Sequence, residues 1–500
     1  MITRLQVDGF KNLESLDVHF GPFTCIAGTN GVGKSNIFDV LQFLGYLAEH
    51  PVLKAAEMVR GGGERYLSGS SAFDIFGRRG GTTVGRIKIG VEMVIASTGT
   101  DELGQLSTAT SNFLRYDLEL RLERSSDDRR MITISREALV PINKGDAKKH
   151  LPFPHEAKWR ERLIYNHRKS GAFISTEVKD GQTLVNLHQD GGSGGRPNPF
   201  SAAKMPRTLL SSARYASESP TVLLAKREIQ QWKFLQLEPS GLRRPSELDK
   251  IGPHTRVNWD GANLPGTVYR LANDCATNDY YANEPALYAR LANLLAKLLP
   301  DVRKVQVDKD EQRRLLTLEI IDRFGVKLPA RSLSDGTLRF LALSILSADY
   351  TEDSLLFLEE PENGIHPDRV KDIIGLLEDM CFDPFDVEYD GEPIRQVIVN
   401  THSPGVVAAV PDHSLLVVNQ RTRLVDEQLV ATASIGAIGG TWRTKTAGDI
   451  KQISLGQLLY YLDPAKVLNS APISKGSKGT SATVRDKFLG QLTLAFVNND

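Results

Sequence analysis

The sequence predicts an α/β fold: a phosphate-loop core, a flanking antiparallel β-lobe and a helical insertion, without a long coiled coil. Three observations predict it. A Gly-rich stretch, Gly28-Thr-Asn-Gly-Val-Gly-Lys-Ser35, lies between an apolar run and an amphipathic one. A second apolar run, Ser354–Leu358, ends abruptly in the adjacent carboxylates Glu359 and Glu360. Finally, Arg86–Ala96 and Tyr116–Glu123 alternate apolar and polar residues, as half-buried antiparallel strands do.

Ile2–Val7, Leu16–Phe20 and Phe23–Ala27 are short apolar or alternating runs, separated by Gly9-Phe10-Lys11-Asn12 and by Gly21-Pro22, and read as three strands. Ile37, Val40, Leu41, Leu44 and Leu47 recur at helical spacing, so a buried helix over Ser35–Glu49 leaves the Gly-rich loop. Pro141–Pro265 is polar and irregular and includes the Gly-rich loop Asp190–Asn198. Leu287, Leu291, Leu294, Leu295 and Leu298 mark one face of a helix over Ala286–Leu299, followed by strands at Val305–Val307 and Leu315–Ile321. Apolar heptads are not sustained anywhere, and Ile473–Thr483 reads as a flexible link. The expected partition is a first core segment with its β-lobe (1–140), a mixed and largely helical insertion (141–325), a second core segment (326–445) and a C-terminal segment (446–500).

At 500 residues the chain is too long for one core, and roughly two to four folding units are expected. Lys plus Arg balance Asp plus Glu at 61 each, so attraction to nucleic acid must be local. Cys25, Cys275 and Cys381 are too scattered for a metal knuckle or a disulfide framework, which fits a reducing, cytoplasmic setting. Nothing approaches the roughly 20 apolar residues of a membrane helix, and charged residues interrupt the N-terminal apolar runs, so no membrane partner is expected.

Glycines let the loop backbone wrap phosphates with its N–H groups turned inward, in conformations a side chain would forbid. Asn30, Gly31, Val32, Gly33, Lys34, Ser35 and Asn36 are therefore the expected contacts of a nucleoside triphosphate such as ATP. Lys34 would meet the β- and γ-phosphates, and Ser35 would give its hydroxyl to Mg²⁺. A Gly-rich turn with a chance Lys-Ser is the bland alternative. Glu359, at a strand end, would hold Mg²⁺ through water, and Glu360 would orient the attacking water; the alternative is an acid cluster at a helix start. Ser334-Asp-Gly336 precedes an apolar helix 25 positions before Glu359 (359 minus 334). It is either a simple N-cap or a second phosphate-binding edge. His402 ends the apolar run Gln396–Asn400 and would contact the γ-phosphate, although a lone strand-end histidine is often structural.

Together these four elements resemble the ABC-type ATPase heads of the RecF, SMC and OLD group, in particular bacterial AAA-family ATPases with a GxHP sequence, here Gly364-Ile365-His366-Pro367. Gly9-Phe-Lys-Asn-Leu13 and Asp260-Gly-Ala-Asn-Leu264 also look like that group. The resemblance implies an ATPase whose heads pair head to tail into a homodimer or a higher homo-oligomer, each ATP bound by the phosphate loop of one copy and Ser334 and Gly336 of the other. It assigns catalysis to Lys34, Glu360 and His402. Two departures stand out: Glu359 replaces the usual Asp, and no Gln stands at the expected Q-loop position.

The function this implies is an ATP-gated dimer acting on or near DNA or RNA in anti-phage defence, with a separate nuclease partner, as Septu-type ATPases act beside an HNH nuclease. RecF-like DNA repair and an OLD-like ATP-dependent nuclease are the alternatives. An OLD-like nuclease would need a Toprim Glu and a later Asp-x-Asp, which Pro411–Leu429 does not supply. A transporter subunit does not fit the GxHP sequence. For nucleic-acid contact, Lys148–Lys169 interleaves Lys and Arg with Trp159 and Tyr165. The competing reading is a solvated helix face with Trp159, Leu163 and Ile164 buried. Arg243-Arg244 is a second candidate.

Overall fold

The computed structural model describes residues 1–59, 72–79, 82–124, 127–166, 171–190, 198–274, 284–349, 354–388, 394–425, 428–446 and 450–453. Cys275, the Ile473–Thr483 link and most of the Gly-rich loop after Asp190 lie outside these. The chain forms two compact units, the first comprising Met1–Trp232, Asp383–Gln396 and Leu415–Leu455 and the second including Lys233–Phe382 and Val397–Ser414.

In the first unit the alternating sequences build one large antiparallel sheet. Its strands are β1 (Ile2–Asp8), β2 (Leu16–His19), β4 (Arg86–Val94), β5 (Phe113–Arg124), β6 (Arg130–Pro141), β7 (Ile174–Lys179), β8 (Gln182–Leu187) and β9 (Asn198–Ser201), and β3 is Phe23–Ala27. The order is β9-β8-β7-β6-β5-β4-β1-β2. Leu5 faces Val91 and Ile89 faces Leu118, so one side chain in two enters the core and Leu5, Ile89, Val91 and Leu118 are buried. Three strands of this sheet, β7 to β9, come from the region expected as an insertion. β3 is buried at every position and pairs in parallel with Leu415–Val425, which turns back antiparallel into Gln428–Ile438. A strand buried on both faces reads as a nearly continuous apolar run, and Phe23–Ala27 does so with Thr24 its one polar residue. Helix α1 (Lys34–Glu49) follows the loop and packs against α2 (Pro220–Gln230).

The unit boundary falls in β10 (Trp232–Leu235). In the second unit, α3 (Leu264–Asp274) and α4 (Glu284–Ala296) pack on an antiparallel sheet of β11 (Val302–Asp310), β12 (Leu315–Asp322) and β13 (Lys327–Pro329). Helix α5 (Asp335–Ala348) leads to β14 (Leu355–Glu359), then α6 (Val370–Asp379) and β15 (Gln396–Thr401). β14 lies between β10 and β15, and Phe234 of β10 stacks on Phe357 of β14 at 4.3 Å. Among the described residues the longest helix is the 16-residue α1, in keeping with the absence of a long coiled coil, and none is long and apolar enough to cross a membrane.

Candidate functional site

In the first unit, β3 delivers the chain into Gly28–Gly33. A side chain at Gly28 would place its Cβ 2.6 Å from the Val418 carbonyl. Gly33 takes φ +110°, and a Cβ there would meet the Asn12 amide at 2.6 Å. Neither position tolerates another residue. Because Gly33 is the N-cap, α1 starts without a side-chain cap and without an acid in its first turn. The positive end of its dipole is thus left to whatever the loop holds. Lys34 is buried, and its Nζ donates to the carbonyls of Gly28 (2.6 Å) and Thr29 (2.8 Å). Thr29, Asn30 and Gly31 are exposed, Val32 is buried, and Ser35 and Asn36 are half-buried. A glycine cradle, an ammonium and an uncapped helix start suit a triphosphate, and Ser35 is placed at that helix start to offer an oxygen to a divalent cation.

The loop is braced by Lys11 and Asn12, to which the motifs assign no role of their own. Asn12 Nδ2 donates to the Val32 carbonyl (3.2 Å), and its Oδ1 accepts from Asn36 Nδ2 (2.7 Å). Asn36, expected among the nucleotide contacts, thereby ties α1 to the Gly9–Leu13 turn. Lys11 pairs with Asp39 of α1 at 2.7 Å. Both residues belong to the Gly-Phe-Lys-Asn-Leu sequence that carries part of the family resemblance.

In the second unit, Leu355–Leu358 are buried and Glu359 closes β14, its Oε1 accepting from Asn400 Nδ2 at 3.4 Å. Glu360 then takes φ +46°, a left-handed backbone that is costly for a residue with a side chain and that concentrates at functional sites. The conformation is held by Glu360 N–H donating to Asn400 O (3.1 Å) and Oδ1 (3.2 Å). The Glu360 carboxylate lies between two partners, His402 Nδ1 at 2.5 Å and Asn363 Nδ2 at 2.8 Å. The structure therefore brings Glu359, Glu360 and His402 together at adjacent strand ends. Glu362 is also drawn in: it is buried, accepts from the Thr401 hydroxyl through Oε1, and leaves Oε2 without a hydrogen-bond partner. Burial pushes its carboxyl above the ordinary range. The Thr401 hydroxyl in turn accepts from Ser403 N–H (2.9 Å), so Glu362 sets the turn that carries His402.

Ser334 is the N-cap of α5, its Oγ accepting from Thr337 N–H at 3.2 Å. Ser334 therefore caps the helix whatever else it binds. Gly336 is pressed against the next loop, where a Cβ would fall 2.4 Å from the Gly364 carbonyl. Arg243 donates to Leu333 O (3.0 Å) and to Asp335 (2.5 Å), and Arg244 reaches Asp260 at 3.5 Å. These guanidinium groups brace the Ser334 turn and the Asp260 turn. Trp159 is likewise fully buried against Phe153, with Leu163 and Ile164, so the solvated-face reading of that helix holds and Trp159 is not placed to stack on a base.

Residues 194–408 match the family described as "AAA domain, putative AbiEii toxin, Type IV TA system". The chain is 35% identical over 68 residues to "DNA replication and repair protein RecF" of Porphyromonas gingivalis, covering 13% of this chain and 19% of the relative. It is 29% identical over 92 residues to RecF of Symbiobacterium thermophilum, covering 18% and 24%. The chain thus spans only about a fifth of the length of these curated relatives. Solved structures it overlaps include the Smc head bound to the C-terminal winged-helix domain of ScpA (TM-score 0.44, 15% identity, 88% of this chain and 98% of that one). Another is the SMC head domain from Thermotoga maritima (TM-score 0.35, 12% identity, 87% and 98%). By sequence, then, the chain is similar to AAA domains over residues 194–408 and to RecF over short segments.

Proposed function

We propose that the chain is a Mg²⁺-dependent ATPase of the ABC type that dimerises on ATP. The observation that carries this reading is the Gly28–Ser35 cradle, in which Lys34 and the uncapped start of α1 converge on one loop. Lys34 and the loop N–H groups would neutralise the phosphates, while Ser35 and Glu359 would hold Mg²⁺. Glu360 would accept a proton from the water that attacks the γ-phosphorus as the bond to the β-phosphate oxygen breaks, releasing ADP and phosphate. His402 would contact the γ-phosphate. Ser334 and Gly336 of a second copy would close the site in a homodimer or higher homo-oligomer, as the RecF and SMC resemblance implies.

The setting we infer is cytoplasmic and on or near DNA or RNA, as the ATPase of an anti-phage defence system with a separate nuclease partner. The family match, whose description names a toxin of a toxin–antitoxin system, supports that direction. RecF-like repair is the second reading, favoured by the short RecF matches. Nucleotide titration of wild type and Lys34→Ala tests the core of the proposal. Wild type binds ATP and Lys34→Ala does not; an unchanged dissociation constant in the variant refutes the site. Plaque counts on cells expressing wild type or Glu360→Gln, with neighbouring genes present, separate defence from repair.

A further inference from the structure

We infer that Arg339 and Asn363 are positioning residues that couple the Ser334–Gly336 end of α5 to the Glu360 carboxylate of the same subunit, an inference that rests on the ATPase reading above. Helix α5 is buried at every position from Gly336 to Ala348 except Arg339. A long cation on so apolar a helix is costly unless its donors are used. Its Nε donates to Leu237 O at 3.1 Å and its Nη1 to Asn363 O. Both acceptors are main-chain carbonyls, so the planar guanidinium fork fixes the path of two loops.

Asn363 is held at three points. Its N–H donates to Glu360 O at 3.1 Å, closing a turn, its carbonyl receives Arg339, and its Nδ2 donates to Glu360 Oε2 at 2.8 Å. The next residue, Gly364 (φ +76°), presses its carbonyl onto Gly336. The start of α5 and the turn Glu360–Gly364 therefore cannot move independently. A phosphate engaging Ser334 and Gly336 would shift Asn363, and with it the donor that orients one oxygen of Glu360. His402 fixes the other oxygen. The Glu360 carboxylate of one copy would thus report whether that copy's Ser334 edge is occupied.

The test uses the full chain, with kcat and KM for ATP and an equilibrium affinity measured by a fluorescent ATP analogue. Arg339→Met and Asn363→Ala are each expected to lower kcat about tenfold or more while affinity stays within about twofold. Arg339→Lys recovers part of the loss. Arg339→Met added to Asn363→Ala costs nothing further, because the route is already cut. Asn363→Asp keeps the shape of the turn but sets a carboxylate against Glu360, so its kcat falls as in the alanine variant even should Arg339→Met fail to fold. Additive losses in the double variant, parallel losses of kcat and affinity, or a fully active Asn363→Asp overturn the relay. Wild-type protein without turnover would sink the ATPase reading instead, and the relay with it.

Discussion

His402 Nδ1 lies 2.5 Å from Glu360 Oε1, a direct imidazole–carboxylate contact between the residues that follow β14 and β15. The histidine side chain is 42% exposed, so it holds the carboxylate without being locked into the core. His402→Ala is expected to reduce ATP turnover about ten- to a hundredfold with ATP affinity changed only a few-fold. Wild-type turnover in that variant would make the contact merely structural.

Asn12→Ala removes the bonds to Val32 and Asn36 that hold the phosphate loop to the Gly9–Leu13 turn. With roughly 1 kcal/mol for each net hydrogen bond, ATP should bind about tenfold or more weakly. Calorimetric titration reads this directly, and an unaltered affinity would deny Asn12 its bracing role.

Gly336→Ala and Gly31→Ala separate crowding from backbone strain. At Gly336 the new methyl meets the Gly364 carbonyl at 2.4 Å, whereas at Gly31 (φ +81°) it meets nothing within 4 Å. Overpacking of about 1–3 kcal/mol is expected at Gly336, and about 1 kcal/mol of strain at Gly31. Thermal unfolding should rank Gly336→Ala below Gly31→Ala; the reverse order would mean that the two loops separate readily.

Glu137 supplies a pH dependence of defined sign. Burial, opposed by the Leu210 and Leu209 N–H groups and the Tyr116 hydroxyl, raises its carboxyl from 4.5 to about 7. The folded chain therefore holds this proton more tightly than the unfolded chain. The associated stability is fully present below about pH 4.5 and is lost as pH rises to about 7, on the order of 3 kcal/mol. Glu137→Gln should abolish that part of the slope, so the difference in melting temperature between variant and wild type changes between pH 5 and pH 8. A constant difference would show Glu137 already ionised throughout.

The site motifs were legible because each is written locally. An apolar run ending in acids, as at Leu355–Glu360, suits either a buried strand reaching an edge or a helix start, and here it is the strand; Phe23–Ala27 forms a strand with the expected ends. Helix α1 begins at Lys34, one residue earlier than expected, since Gly33 caps it. Strands β7 to β9 were not legible. Ile174–Lys179 is mostly exposed or half-buried, so its strand state comes from pairing with neighbours and not from its own alternation. The roles of Asn12, Arg339 and Asn363 were hidden for another reason. Asn12 lies 20 residues from Val32 and Arg339 lies 24 from Asn363 in sequence, and only the fold brings each pair together. Trp159, an aromatic in a basic run that reads either as open to a base or as core, is wholly buried.

In the proposed cycle, ATP closes two copies of this chain and Glu360 opens them by hydrolysis. Light scattering coupled to size exclusion, on Glu360→Gln with and without Mg²⁺-ATP, tests it most directly. The variant is expected at a mass near 55.2 kDa without nucleotide and about twice that with it, while wild type returns to the smaller species as ATP is consumed. A Glu360→Gln variant that binds ATP yet keeps the same mass, or that hydrolyses ATP at the wild-type rate, would contradict it.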